Sequence, residues 1–194
     1  MSRPQVSVRP VSPSQNELFT QLWLAARVEA GGSLESATRA ASEGRVAAAL
    51  AREDVRAYLA FHDGQAVGYM VLTHSPLSGL TDTPCVCIDQ LYVAETARRQ
   101  GAAKALLTAA ATYAERFGAD QIATCVPSQG RDANRFFARL GFSSYVVKRV
   151  TTTAGLRRKL QGEEHRGGLE LVLQQRRRSL RARTGRMGDR QLVG

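Results

Sequence analysis

The stretch from Ile88 to Ala114 reads IDQLYVAETARRQGAAKALLTAAATYA, and it decides the fold of this chain. Its first six residues, 88–93, are mostly β-branched, aromatic or apolar, which is typical of a strand. Its second half repeats apolar residues at helical spacing from Ala105 onward. Between these parts lies a turn that contains Gly101. The stretch therefore predicts a strand, a turn and a helix that begins close to Gly101.

The turn predicts an anion-binding site at the N-terminus of that helix. Backbone N–H groups in a first helical turn lack intrahelical partners, and the helix dipole adds partial positive charge there. Gly101, Ala102 and Ala103 leave this backbone open to phosphate oxygens. Arg98 and Arg99 add guanidinium groups, whose planar geometry suits phosphate. These residues predict a ligand that carries a pyrophosphate; the alternative is an ordinary strand-turn-helix with a solvated arginine pair.

The spacing Arg-x-x-Gly-x-Ala resembles the acyl-CoA-binding signature of the GNAT superfamily of N-acyltransferases. A second segment, residues 133–142 with the sequence ANRFFARLGF, resembles the later motif of that family, a short helix that ends in Gly-Phe. The resemblance covers about residues 5–152, and it is specific because the two motifs occur in the right order. It implies a mixed α/β, GNAT-like fold. The central sheet would be mostly antiparallel, splayed at the cofactor site and flanked by helices.

The resemblance also implies a function, the transfer of an acetyl group from acetyl-CoA to a primary amine without a metal. The main chain of residues 91–93 is expected to hydrogen-bond the pantetheine arm and to polarise the thioester carbonyl. The expected cofactor-binding residues lie in the strand, the turn and the later helix. They are Leu91, Tyr92, Val93, Arg98, Arg99, Gly101, Ala102, Ala103, Lys104, Asn134 and Phe137.

Asp89 is the candidate catalytic base, because it precedes the turn at a position where the family often carries an acidic residue near the substrate amine. A carboxylate with an ordinary pKa is a weak base for an ammonium group. Asp89 would therefore act through ordered water, by attracting the ammonium group, or with a raised pKa. The alternative is a structural role, in which Asp89 caps or pairs at the strand edge.

The general acid of many family members is missing from this sequence, because Phe137 stands where they carry a tyrosine. A tyrosine there protonates the departing thiolate, and phenylalanine cannot donate a proton. Tyr145, Ser128 or water is the expected replacement, with Tyr145 the preferred candidate. A thiol pKa near 8.5 also allows the thiolate to leave without an acid.

Composition sets the cellular context. The chain has 194 residues, enough to bury a core without disulfides. Its three cysteines, Cys85, Cys87 and Cys125, are odd in number, and no secretory segment precedes Gln5, so we expect a cytoplasmic protein. A cysteine metal site is disfavoured because no fourth ligand follows at suitable spacing. Without a run of about twenty apolar residues, we expect no membrane span.

Apolar periodicity and turn residues predict the order β-α-α-β-β-β-α-β-α-β. This order excludes a doubly wound dinucleotide fold, because the central strands follow one another without crossover helices. A hairpin turn is predicted at Asp63-Gly64. The predicted strands are 6–9, 55–61, 66–73, 85–93, 122–126 and 144–152, and the predicted helices are 17–26, 33–50, 101–117 and 132–140.

The last part of the chain supports a second function class. We predict an acetyltransferase domain at 1–153 and a C-terminal extension at 154–194, helical in part, although 169–173 also alternates as a strand would. Residues 175–194 contain seven arginines and one aspartate, a net charge of +6 in a chain of +10. The alternative function is therefore an idle acyl-CoA-binding or ribosome- and RNA-associated module that uses this tail. A solvated extension, or a helix packed on the domain or across a homodimer, also fits.

Overall fold

The computed structural model describes residues 6–74, 84–127, 130–145 and 149–161. The chain divides into two compact units between Phe142 and Ser143. In the second unit, residues 153–161 are helical. The predicted domain boundary at residue 153 stays a prediction, and the segment 169–175 and the arginine-rich tail lie outside the described residues. No helix in the described part of the chain is long and apolar enough to cross a membrane.

The first unit is built on a five-stranded sheet. Its strands lie side by side in chain order. The first four strands pair antiparallel, and the last two pair parallel. This confirms the predicted mixed α/β fold with a mostly antiparallel sheet. The strands are β1 Val6–Pro10, β2 Val55–His62, β3 Gln65–His74, β4 Cys85–Val93 and β5 Gln121–Thr124.

Helices cover both faces of this sheet. One core packs Leu106 and Ala110 of the helix 102–117 against Leu72 and Val86 of the strands. The other core joins Phe19 of the helix 16–29 to strand residues of the opposite face. The helices are α1 Asn16–Glu29, α2 Leu34–Ser42, α3 Arg45–Leu50, α4 Ala102–Phe117 and α5 Arg131–Arg139.

Two sequence predictions were wrong in detail. The predicted helix 33–50 is two helices, because Gly44 between them adopts a left-handed conformation with φ of +71°, which ends a right-handed helix. The predicted strand 144–152 is not formed by residues 144–145 and 149–152, and 146–148 lie outside the described residues. Tyr145 and Val150 are 76% and 90% exposed, so the described residues of this segment offer no buried apolar side chain to stabilise a strand.

The sheet opens where β4 and β5 part. Their parallel pairing runs from Cys85 opposite Gln121 to Ile88 opposite Thr124, and there β5 ends while β4 continues to Val93. The register between β3 and β4 also shifts at this point, so that Asp89 forms a β-bulge. Among the described strands, the last four residues of β4, 90–93, therefore pair with β3 on one side only, which is the splay that the resemblance implies.

Gly68 holds β3 close to the open part of β4. It lies opposite Val93, and a Cβ atom at Gly68 would come within 2.5 Å of the Tyr92 carbonyl oxygen and 3.2 Å of the Val93 Cα. Both obstacles are backbone atoms, so the strands would have to separate.

We expect Gly68→Ala to lower the free energy of unfolding by about 3 kcal/mol, because overpacking against the backbone strains both strands. Denaturant titration measures this loss. Gly130→Ala is the comparison, since a Cβ atom there would approach no atom closer than 3.2 Å. Equal stability of the two variants would contradict the close approach of β3 and β4.

Candidate active site

The turn between β4 and α4 has the geometry of an anion cradle. Arg99 and Gly101 both have positive φ, +62° and +93°, which turns the chain sharply into α4. Within the described ranges, the N–H groups from Arg99 to Lys104 donate to no backbone carbonyl. A Cβ atom at Gly101 would meet nothing within 4 Å, so this side of the loop is open. Several amide donors without a backbone acceptor therefore lie in one short loop at the positive end of a helix.

The structure brings the predicted turn residues together in this loop, but they contribute in different ways. The Ala102 side chain is buried in the core, so Ala102 offers only its backbone N–H to a ligand. Arg99 and Lys104 are exposed and keep their charged groups in solvent. Gly101 and Ala103 complete the uncovered stretch of main chain. The cradle thus consists of backbone amides with two positive side chains beside it.

Arg98 has a different set of partners. Its Nε donates to the Val93 carbonyl oxygen at 3.0 Å, and its guanidinium forms an ion pair with Glu29 at the end of α1. These contacts tie the end of β4 to α1. The pyrophosphate role predicted for Arg98 stays a prediction, and any phosphate would compete with Glu29 for this side chain.

A pair of variants separates the two roles of Arg98. The ion pair is 45% exposed on Arg98 and 39% on Glu29, so Glu29→Ala should cost less than about 1 kcal/mol of stability and leave acetyl-CoA affinity unchanged. Arg98→Ala should cost a similar amount. If Arg98 also contacts phosphate, only Arg98→Ala will weaken acetyl-CoA binding in a calorimetric titration. Equal affinities of the two variants would restrict Arg98 to its structural role.

Two predicted residues of α5 have mainly structural contacts. Asn134 donates from Nδ2 to the carbonyl oxygens of Gly130, at 2.9 Å, and Pro127, at 3.3 Å, which fixes the start of α5. Phe137 is 7% exposed and packs edge-to-face against Phe136 and Phe142. The cofactor contacts predicted for Asn134 and Phe137 stay predictions.

A cavity of about 260 Å³ lies on the α1 side of the sheet, and Asp89 lines it. Residues from α1, α2, α3, β2, β3 and β4 surround this space, which we call the acceptor-side cavity. The β-bulge at Asp89 interrupts the register at this position and leaves the carboxylate exposed. The same strand therefore carries a carboxylate at the cavity and, a few residues later, leads into the anion cradle.

Gln90 is a site residue that the sequence prediction missed. Its Oε1 accepts a hydrogen bond from the Tyr69 hydroxyl at 2.9 Å, and its Nε2 donates to Asp89 Oδ2 at 3.4 Å. Burial raises the pKa of Tyr69, so this hydroxyl stays protonated and acts as the donor. The amide orientation that results holds the Asp89 carboxylate. In the sequence, a glutamine next to an aspartate resembles any polar residue of a strand, so no signal there indicates that Gln90 lines the cavity.

A larger groove of about 670 Å³ lies between β1 and α4. Its lining includes Tyr58, Tyr113, Lys104 and Arg116 but no carboxylate. A carboxylate would attract an ammonium group, whereas the described lining of this groove offers the cationic side chains of Lys104 and Arg116. The acceptor chemistry is therefore better served by the smaller cavity at Asp89.

Cys87 lies in β4 just before the splay, but its surroundings do not activate the thiol. Burial raises the pKa of the Cys87 thiol to about 11, so at neutral pH the thiol is protonated and a poor nucleophile. In the part of the chain that the structure describes, no three His, Cys, Asp or Glu side chains are grouped to hold a metal ion.

Two side chains, Ser128 and Tyr145, were predicted as replacements for a general acid. Ser128 lies outside the described residues. Tyr145 belongs to the second unit and is 76% exposed. The general-acid role of Tyr145 therefore stays a prediction.

Comparisons with known proteins agree with this arrangement. The model of the acetyltransferase (GNAT) family matches residues 17–142. An aminoglycoside N(6')-acetyltransferase type 1 from Serratia marcescens is 30% identical over 83 residues, which make up 42% of this chain and 57% of that protein. The match thus spans little more than half of that relative's length.

Two solved structures share the fold. A ribosomal-protein-alanine N-acetyltransferase from Brucella melitensis has a TM-score of 0.60 and 21% identity, covering 76% of this chain and 98% of its own. The aminoglycoside N-acetyltransferase AAC(6')-Iy in complex with CoA has a TM-score of 0.63 and 17% identity, and the match covers 77% of this chain and 96% of that chain. At these identities the likeness concerns the fold alone. Because the family model covers more than half of the chain, and the sheet, splay and cradle agree with it, this chain belongs to the GNAT family of acetyltransferases.

Proposed function

We propose that this protein is a cytoplasmic enzyme that transfers an acetyl group from acetyl-CoA to a primary amine. The course of β4 is the observation that carries the proposal. This strand presents the exposed carboxylate of Asp89 to a cavity. It then continues along an edge that β5 does not pair with, and it leads into a loop whose amides have no backbone acceptor. Acetyl transfer needs an anion site for a pyrophosphate, an edge for an extended arm and a proton acceptor for the amine. The described residues fit these three requirements.

Acetyl-CoA supplies an activated thioester when it is bound. The loop amides from Arg99 to Lys104 would hold its pyrophosphate, and the main-chain edge of residues 91–93 that faces away from β3 would hydrogen-bond the pantetheine arm as an added strand does. An amide N–H directed at the thioester carbonyl would stabilise the negative charge that develops on its oxygen.

Asp89 would act on the amine. For a lysine-like amine with a pKa of about 10.4, deprotonation at pH 7 costs about 4.6 kcal/mol, whereas an α-amine with a pKa near 7.7 costs about 1 kcal/mol. Asp89 attracts the ammonium group and takes its proton, directly or through water. The amine nitrogen then forms the amide bond to the acetyl carbon as the carbon–sulfur bond breaks, and the sulfur leaves as a thiolate that gains a proton.

Turnover assays test this proposal. Purified full-length protein is mixed with acetyl-CoA and a panel of amines, and free thiol is measured with a chromogenic reagent. We expect amine-dependent thiol release together with an acetylated amine by mass spectrometry. Binding of acetyl-CoA without amine-dependent release would contradict the enzyme and favour the interaction module. RNA contact through the tail and a homodimer stay predictions that the same preparation can test by filter binding and light scattering.

A further inference from the structure

The acceptor-side cavity is small and has an apolar wall. Phe19 and Trp23 of α1, Val46 and Leu50 of α3, and Val71 of β3 line it. Phe19 and Val46 also belong to the buried core on this face, so the wall is held in place. At about 260 Å³, the cavity is smaller than the roughly 300–1,000 Å³ of most drug-sized ligand sites. It therefore fits a small molecule with an apolar body.

The charges that line the cavity leave one negative group uncompensated. Arg52 donates to both carboxylate oxygens of Asp54, with Nε at 2.9 Å from Oδ1. Arg45 donates from Nε to Glu43 at 2.7 Å. Both guanidinium groups are therefore neutralised by neighbours. Asp89 forms no ion pair with any described residue, so among the described lining residues it is the one carboxylate without a cationic partner.

This arrangement of charges favours an acceptor with one ammonium group and disfavours an acceptor with several. A second ammonium group on the acceptor would face either the apolar wall, where its desolvation is unfavourable, or side chains of Arg45 and Arg52 that are already paired and offer it no carboxylate. Sugar hydroxyls would find few partners, because the uncharged polar side chains of the described lining are Thr73 and Gln90, and the Gln90 amide already bonds Tyr69 and Asp89. An aromatic or aliphatic body would instead bury its surface against Phe19 and Trp23.

We infer that the acceptor is a small free primary monoamine whose one amino group is carried on an apolar body, as in an arylalkylamine, and not an amino sugar or a polyamine. This inference rests on the proposed function. The amino group contacts Asp89, and the apolar body lies against Trp23.

A comparison of acceptors tests the inference with full-length protein. The probes are phenethylamine, an aminoglycoside with several amino groups, and a short peptide with an apolar first residue. We expect kcat/KM for phenethylamine to exceed that for the aminoglycoside at least a hundredfold, and to exceed that for the peptide. A preference for the aminoglycoside or the peptide would overturn the inference while preserving acetyl transfer. No turnover of any amine would overturn the proposed function and the inference with it.

Matched variants locate the selectivity in the cavity. Arg45→Glu reverses a charge at the lining, and the Arg45 side chain is 67% exposed, so the fold should tolerate it. The control is Arg39→Glu, because Arg39 forms a similar ion pair with Glu35 but does not line the cavity. Arg45→Glu should raise the aminoglycoside-to-phenethylamine ratio of kcat/KM at least tenfold, and Arg39→Glu should not. An equal shift in both variants would contradict selection by the cavity.

Trp23→Ala tests the apolar wall. Trp23 lines the cavity and is only partly buried. We expect the KM of the Trp23→Ala variant for phenethylamine to be at least tenfold higher than that of the wild-type protein, and its KM for acetyl-CoA to be unchanged. An unchanged KM for phenethylamine in a folded Trp23→Ala protein would overturn the placement of the apolar body.

Discussion

Gly101→Glu is expected to abolish the stabilisation that acetyl-CoA gives to the folded protein. A ligand at a hundred times its dissociation constant raises the free energy of unfolding by about 2.7 kcal/mol if it binds the native state alone. The glutamate side chain would place bulk and negative charge where the loop amides receive the pyrophosphate. Gly101 also has φ of +93°, so any side chain there adds backbone strain. Thermal melting with and without acetyl-CoA measures the effect.

Gly118→Glu is the matched control for this variant. Gly118 ends the same helix, has φ of +74° and has nothing within 4 Å of a Cβ position, so its strain and added charge are comparable. Both variants should lower the melting temperature of the free protein. Only Gly101→Glu should lose the shift that acetyl-CoA produces. If acetyl-CoA raised the melting temperature of Gly101→Glu as much as that of the wild-type protein, the loop at Gly101 would not bind the pyrophosphate.

Asp89→Asn is expected to lower kcat by about 10²- to 10⁴-fold, the usual contribution of a general base. The affinity for acetyl-CoA should stay nearly unchanged, because the carboxylate lies at the acceptor-side cavity and not in the loop of amides. The loss should shrink as the pH rises, since a larger fraction of the amine is then deprotonated without help. Rates measured from about pH 6 to about pH 9 with an amine of known pKa give this profile.

Asp120→Asn controls for the loss of one carboxylate. Asp120 is exposed just before β5 and does not line the cavity, so its replacement should leave kcat and the pH profile unchanged. Wild-type rates for Asp89→Asn over the whole pH range would make Asp89 a structural residue of the β-bulge. A loss of acetyl-CoA affinity in Asp89→Asn would instead indicate that the bulge supports the cofactor edge.

Local features of the fold could be predicted because their causes are local. The Asp63-Gly64 turn is present between β2 and β3, with both residues at positive φ. The helix that follows Gly101 begins at Ala102, because a left-handed glycine and a run of alanines and leucines specify its start and its course. The predicted strand 144–152 is not formed in its described residues. Alternation of apolar and polar residues indicates only a tendency to form a strand, and a strand also needs a partner strand and a buried face.

The sequence alone determined the strand, turn and helix of Ile88–Ala114, the open backbone at Gly101 and the place of Asp89 before the turn. Tertiary structure decided what these residues face. Glu29 meets Arg98 across 69 residues of chain, and the cavity at Asp89 exists only because six elements surround it. The orientation of Gln90 likewise depends on Tyr69 of the neighbouring strand. Hydrogen bonds and cavities between distant segments arise from packing, which periodicity and spacing along the chain do not record.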